Sequence, residues 1–224
     1  MIKISATIII PLGILLGFQG VSHAQKDSLF VPRSTKNYGY IITLEGDTVP
    51  GYILNLNLWN NQMMTFYFKD LADGDKGTKY RGKDLLGYQA GPRIYERLKF
   101  SGLYSPYRYN FFLRKQDGAI DYFIWYYNND VNKLSGSDAL LTEASDAFLI
   151  DEEELWVESI GRTQDGKIIE FGTMRFRMKF SKNMSKLVRD DHELAKKILQ
   201  KQEGYRFSDL EKIIREYNDW KAGQ

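Results

Sequence analysis

Apolar and polar positions alternate with a period of two between Tyr38 and Phe171, and recur at helical spacing after Gly172. Tyr40, Ile42 and Leu44 alternate with Ile41, Thr43 and Glu45, which predicts a strand. Glu45-Gly46-Asp47 supplies turn residues, so the chain should return through Thr48 to Leu54 as a hairpin. Pro50 has no N–H for a ladder and predicts an edge or a bulge in that return strand. Met64, Phe66 and Phe68, interleaved with Thr65 and Tyr67, form a third strand. Thr78 to Arg81, Leu85 to Gln89 and Arg93 to Phe100 are shorter strand segments.

Two further hairpins centre on the same tripeptide, Gln116-Asp117-Gly118 and Gln164-Asp165-Gly166. Around the first, Tyr109, Phe111 and Leu113 run in, and Ile120, Tyr122, Ile124 and Tyr126 run out. The other face carries Phe112, Phe123, Trp125 and Tyr127, so this pair should be covered on both sides. Around the second turn, Leu155 to Ile160 pairs with Lys167 to Phe171. Beyond Gly172, Phe176, Phe180, Met184, Leu187 and Val188 predict a helix capped by Thr173, although Met174 to Phe180 also satisfies a strand period. Asp190 with Glu193, and Ser208 with Glu211, are capping-box patterns for two short helices. Leu194, Ile198 and Leu199 line one of them; Leu210, Ile213, Ile214 and Tyr217 line the other.

The fold class expected is mainly β with C-terminal helices (α+β). An antiparallel sheet system, a sandwich or partial barrel, would be capped by about three helices. Residues 38–224 would form a single domain, with a β-rich body at 38–172 and a helical part at 173–224. Residues 25–37, mixing charge with Pro32 and Ser34, read as a flexible lead-in.

The first residues change the compartment. Lys3 supplies a positive start, Ile8 to Phe18 an apolar stretch, and Ser22 and Ala24 the small residues that a signal peptidase reads. Residues 1–24 are therefore expected to be a signal peptide cleaved before Gln25, and the apolar run, interrupted by Pro11, Gly13 and Gly17, is too short to span a bilayer. The protein is accordingly expected to be exported, periplasmic or extracellular, with no integral membrane segment after cleavage. The chain has no cysteine, which excludes both disulfides and a lipid-modified cysteine. The mature chain would hold 30 basic and 29 acidic residues, a balance that gives nucleic acid no electrostatic footprint. The 15 tyrosines and 13 phenylalanines of the full sequence suit a pleated, half-buried surface.

The chemistry available is narrow. Only His192 remains after signal cleavage, and it sits in the solvated first turn of an expected helix, so neither a Ser-His-Asp triad nor a zinc site is favoured. No metal or other cofactor is expected, and catalytic residues are unassigned. Asp73-Gly74-Asp75-Lys76-Gly77 with Asp84 suggests a calcium loop, but Gly77 and Thr78 stand where a ligand and the turn glycine are needed. An Asp-Gly turn accounts for it. The acidic run Asp151-Glu152-Glu153-Glu154 reads as a solvated loop. Tyr104-Ser105-Pro106-Tyr107-Arg108-Tyr109 would stack on a sugar or peptide if exposed, and core packing is the reading preferred.

Two segments carry a resemblance. Residues 39–53, Gly39-Tyr40-Ile41-Ile42-Thr43-Leu44-Glu45-Gly46-Asp47-Thr48-Val49-Pro50-Gly51-Tyr52-Ile53, open the mature fold, and Phe207-Ser208-Asp209-Leu210-Glu211-Lys212-Ile213-Ile214-Arg215-Glu216-Tyr217-Asn218 close it. With a tyrosine-rich β section between them, the chain resembles a family of exported proteins common in Bacteroidetes. The resemblance implies export, a β-rich body and a helical finish, and transfers no site residues. The function expected is that of a non-catalytic binding or envelope-associated structural module, whose partner is an envelope protein or glycan. The alternative is a carboxylate-dependent hydrolase of glycans or envelope polymers, which would need neither His nor Cys.

Overall fold

A computed structural model describes residues 35–56, 58–72, 76–99, 107–127 and 156–224. The two-residue period produces ten strands: β1 (Thr35–Ile42), β2 (Thr48–Asn55), β3 (Met64–Phe68), β4 (Thr78–Arg81), β5 (Gly87–Ala90), β6 (Arg93–Lys99), β7 (Tyr109–Gln116), β8 (Ile120–Tyr127), β9 (Trp156–Thr163) and β10 (Ile168–Glu170). All belong to one antiparallel sheet, open at β10 and β4, in the order β10-β9-β8-β7-β6-β5-β1-β2-β3-β4. The first four strands step outward from β1. The chain then returns, lays β5 on the other side of β1 with Ile42 opposite Gly87, and steps outward again to β10. The sheet curves on itself, because the residue after β4 lies against the start of β7.

The hairpins form as their turns predict. Gly46 takes a left-handed φ of 94°, which its missing Cβ allows. Both faces of the β7–β8 pair are covered, Phe111, Phe112, Phe123 and Trp125 being fully buried. Leu98, Phe112, Phe123, Trp125 and Ile160 form one apolar cluster across four strands. One expectation about the first hairpin is corrected. β1 begins at Thr35, inside the supposed lead-in. β2 lies between β1 and β3, and Pro50 is accommodated because β3 pairs only with Tyr52 and Ile53, leaving the Pro50 end with one neighbour.

One short helix escaped the sequence reading. α1 (Leu58–Met63) is buried along its whole length and packs on β3, β7 and β8. Its polar side chains close hydrogen bonds that the sheet leaves open. Gln62 donates to the Tyr126 carbonyl (2.8 Å) and accepts from the Tyr126 N–H (2.5 Å), where β8 has run past its pairing with β7. Asn61 accepts from the Leu56 N–H and donates to Asn55, while the Tyr88 hydroxyl donates to the Asn61 carbonyl. Burial holds that hydroxyl well above its ordinary pKa, which favours the protonated, donating form.

The period change at Gly172 is real, and the expected first helix is broken in two at Lys179. α2 (Met174–Met178) is capped by the Thr173 hydroxyl on the Phe176 N–H, and α3 (Phe180–Leu187) follows. α4 (His192–Leu199) is capped by Asp191, one residue later than the box at Asp190 implies. A 3₁₀ turn at Phe207–Asp209 precedes α5 (Leu210–Ala222); the Asp209 carboxylate accepts from the Arg206 N–H at the start of that turn, and the box expected at Ser208 does not form, α5 having no side-chain cap. α5 buries Leu210, Ile213, Ile214 and Tyr217, the stripe that the sequence predicts. Its Asn218 donates to the Ile120 carbonyl and accepts from the Ile120 N–H, both at 2.9 Å, fixing the helix to the start of β8. Side-chain amides thus cap both ends of that strand.

A polar clasp holds α5 to the preceding helices. Asp190, just before α4, accepts from Tyr217 (2.8 Å) and Lys221 (2.7 Å). Burial opposes the charge, but these bonds hold the Asp190 carboxyl below its usual range. Burial and then that carboxylate push the Tyr217 hydroxyl up to about 12. A depressed carboxyl stabilises the fold above its unfolded pKa, and that contribution disappears as pH falls through the folded one.

Candidate anion-binding face

The segment Tyr107–Tyr109 leads into β7 and is pinned from within. Asn110, fully buried, donates from its side chain to the Tyr107 carbonyl at 3.1 Å. The chain leaving β4 passes hard against the same segment, since a Cβ on Gly82 would lie 2.5 Å from the Tyr109 carbonyl oxygen. Only glycine permits that approach. It brings Arg81, the last residue of β4, over Tyr107, with its guanidinium carbon 5.2 Å from the ring centroid. β6 supplies a second arginine: Lys99 is opposite Tyr109, so Arg97 shares that face of the sheet and sits 5.0 Å from the Tyr109 ring. Arg108 lies 5.6 Å from the same ring.

Three guanidiniums therefore surround two tyrosine rings, with Lys99 exposed across from Tyr109. None of Arg81, Arg97 and Arg108 forms an ion pair among the described residues. The Asp84 carboxylate, close in sequence, accepts from the Arg81 backbone N–H at 2.9 Å. A guanidinium this close to a ring is held by about 0.5–1 kcal/mol, and the contact consumes none of its five N–H donors as a conventional hydrogen bond. Such an arrangement offers forked donors to carboxylate or phosphate.

The other face of the same strands is charged in a different way. Glu96, on β6, accepts from Arg114 (2.8 Å) with one oxygen and from Arg162 (2.7 Å) with the other. Arg162 also donates twice to Asp121, at 2.9 and 2.6 Å, and Asp121 accepts from the Gly118 N–H. Every carboxylate oxygen of Glu96 and Asp121 is taken. This network ties β6, β7, β8 and β9 together and engages every oxygen of the two acids in structural bonds.

No family model, curated protein or solved structure matches the chain. The chemistry of the face rests on its own geometry.

Of the residues singled out by sequence, Tyr107, Arg108 and Tyr109 belong to this face. Both rings are half-buried, so the core packing preferred for them is only partly realised. Tyr104 to Pro106, the Asp73 to Asp75 part of the calcium candidate, and Asp151 to Glu154 lie outside the described residues. His192 is exposed at the start of α4. Among the described residues no group of three or more acidic or histidine side chains could hold a metal ion. Arg81 and Arg97 were not foreseen: the approach of the chain leaving β4 to β7 leaves no mark in local sequence, and alternation alone does not set the register that puts Arg97 beside Tyr109.

Proposed function

We propose that this protein is an exported, non-catalytic binding module of the cell envelope, periplasmic or extracellular. It takes the acidic groups of an envelope glycan on the Arg81–Arg97–Arg108 face. The observation that carries this reading is a set of three guanidiniums, 5.0 to 5.6 Å from the Tyr107 and Tyr109 ring centroids, without a carboxylate partner among the described residues. Uronate carboxylates match the forked donors of arginine, and tyrosine edges beside them suit a sugar's mixed surface. The closed Glu96–Arg162–Asp121 network supports a structural use of those acids over the hydrolase alternative. Export rests on Lys3, the apolar Ile8 to Phe18 and the Ser22/Ala24 pattern, in keeping with the Bacteroidetes-type exported proteins that the chain resembles.

Calorimetric titration of the mature protein with oligogalacturonate tests the reading. The wild type should bind, with affinity falling as salt rises, and should ignore neutral dextran. Arg81→Gln/Arg97→Gln/Arg108→Gln should weaken binding at least about tenfold, equivalent to about 1.4 kcal/mol. Equal affinity in the triple variant would refute the assignment. Appearance of new reducing ends during the titration would favour the hydrolase. Export has its own test: protein recovered from the native envelope should begin at Gln25 by mass spectrometry, and recovery from Met1 would contradict it.

A further inference from the structure

A second surface carries charge without compensation. Between Thr173 and Arg189 stand Arg175, Arg177, Lys179, Lys182, Lys186 and Arg189, with no acidic residue. Phe180, Met184 and Val188 turn into the domain and are buried. Lys182 and Lys186, one helical turn apart, project from the opposite side of α3, and Lys179 and Arg189 are exposed beside them. On α2, Met174 and Met178 are also one turn apart. They are 71% and 78% exposed, more than any other large apolar side chain described. Met174, Met178, Lys182 and Lys186 thus recur at every fourth position, all exposed.

After Arg189 the cations of the helical part are interspersed with acids, and several are paired. Lys197 pairs with Glu216 and Lys221 with Asp190, while Arg177 lies over the Phe207 ring at 4.9 Å. Arg175, Lys179, Lys182, Lys186 and Arg189 make no ion pair among the described residues. A face kept only for solubility would carry the cations but not two extended thioether chains among them. Cations flanking flexible apolar side chains match one surface in particular, anionic headgroups above an acyl boundary.

We propose that the α2–α3 face docks the protein on the anionic phospholipids of a bilayer. Met174 and Met178 enter the interface, and Arg175, Lys179, Lys182, Lys186 and Arg189 lie on the phosphates. Cosedimentation of the mature protein with vesicles of dioleoyl phosphatidylcholine and phosphatidylglycerol at 3:1 tests this directly, with pure phosphatidylcholine as the control. Each cation near such a surface contributes about fivefold in affinity. The wild type should bind the anionic vesicles and not the neutral ones. Lys182→Glu/Lys186→Glu should lower binding at least about tenfold, and Met174→Ser/Met178→Ser should lower it severalfold with the salt dependence unchanged. All four positions are exposed, so circular dichroism should show both variants folded. The Arg81/Arg97/Arg108 variant should bind vesicles like the wild type, which separates this surface from the glycan face. Absence of binding to anionic vesicles, or wild-type binding by the Lys182/Lys186 variant, would overturn the proposal. Loss in the charge variant with no change in the methionine variant would point to a soluble acidic protein as the partner, and would also overturn it.

Discussion

Ending the chain before Phe207 should unfold the domain instead of trimming a tail. α5 contributes Leu210, Ile213, Ile214 and Tyr217 to the interior, all at least 94% buried. At about 1.5–3 kcal/mol for each such side chain, the loss approaches the whole stability of an ordinary domain. The same deletion strips Asn218 from the Ile120 N–H and carbonyl and removes the Tyr217 and Lys221 bonds from Asp190. An isolated helix of 13 residues is marginal in water, so the dependence runs both ways. Thermal unfolding of the truncated and full mature proteins should show a cooperative transition only in the longer one. Coincident midpoints would mean that α5 is an appendage.

Gln62→Leu should be the most damaging single change on the sheet side. The substitution keeps most of the volume but removes both partners of the Tyr126 backbone, the acceptor of its N–H and the donor to its carbonyl. Gln62 is fully buried, so water cannot replace it without opening the domain. A buried donor or acceptor left unmade costs about 1–3 kcal/mol, and two of them cost about 2–6 kcal/mol. For a domain of this size that corresponds to a drop in Tm of roughly 5–20 °C. Scanning calorimetry measures it, and a drop below about 1 °C would show that the amide pair contributes little. Asn218→Leu, at the other end of β8, should behave alike and add nearly independently.

These two results mark where the sequence was and was not legible. The stripe of Leu210, Ile213, Ile214 and Tyr217 is a periodic signal within a helix of 13 residues, and it survives in the structure with every member buried. The Gln-Asp-Gly turns are equally local, and both form hairpins. α1 left no such signal. Its six residues are too few for a helical period to emerge, and the buried positions Asn60, Asn61 and Gln62 read as loop by polarity. The cap of α4 lies one residue from its expected place: Asp191 accepts from the Leu194 N–H, and Asp190 instead holds Tyr217 and Lys221.

The candidate face divides in the same way. Tyr107, Arg108 and Tyr109 are contiguous and visible as an aromatic and basic run. Arg97 joins them through the register of β6 on β7, and Arg81 joins only because Gly82 lets the chain leaving β4 graze β7, a long-range event with no periodic trace. Alternation predicted the strands; it carries no information about which edge a strand joins.

The claim that the Arg81–Arg97–Arg108 face is the binding surface is tested most directly by hydrogen exchange of the mature protein with and without oligogalacturonate. Amide exchange should slow at Arg81 and Gly82, at Arg97 to Lys99 and at Arg108 to Asn110, with the Glu96–Arg162–Asp121 side of the sheet unchanged outside those positions. Protection confined to any other surface, at ligand concentrations that saturate the calorimetric titration, would contradict the account.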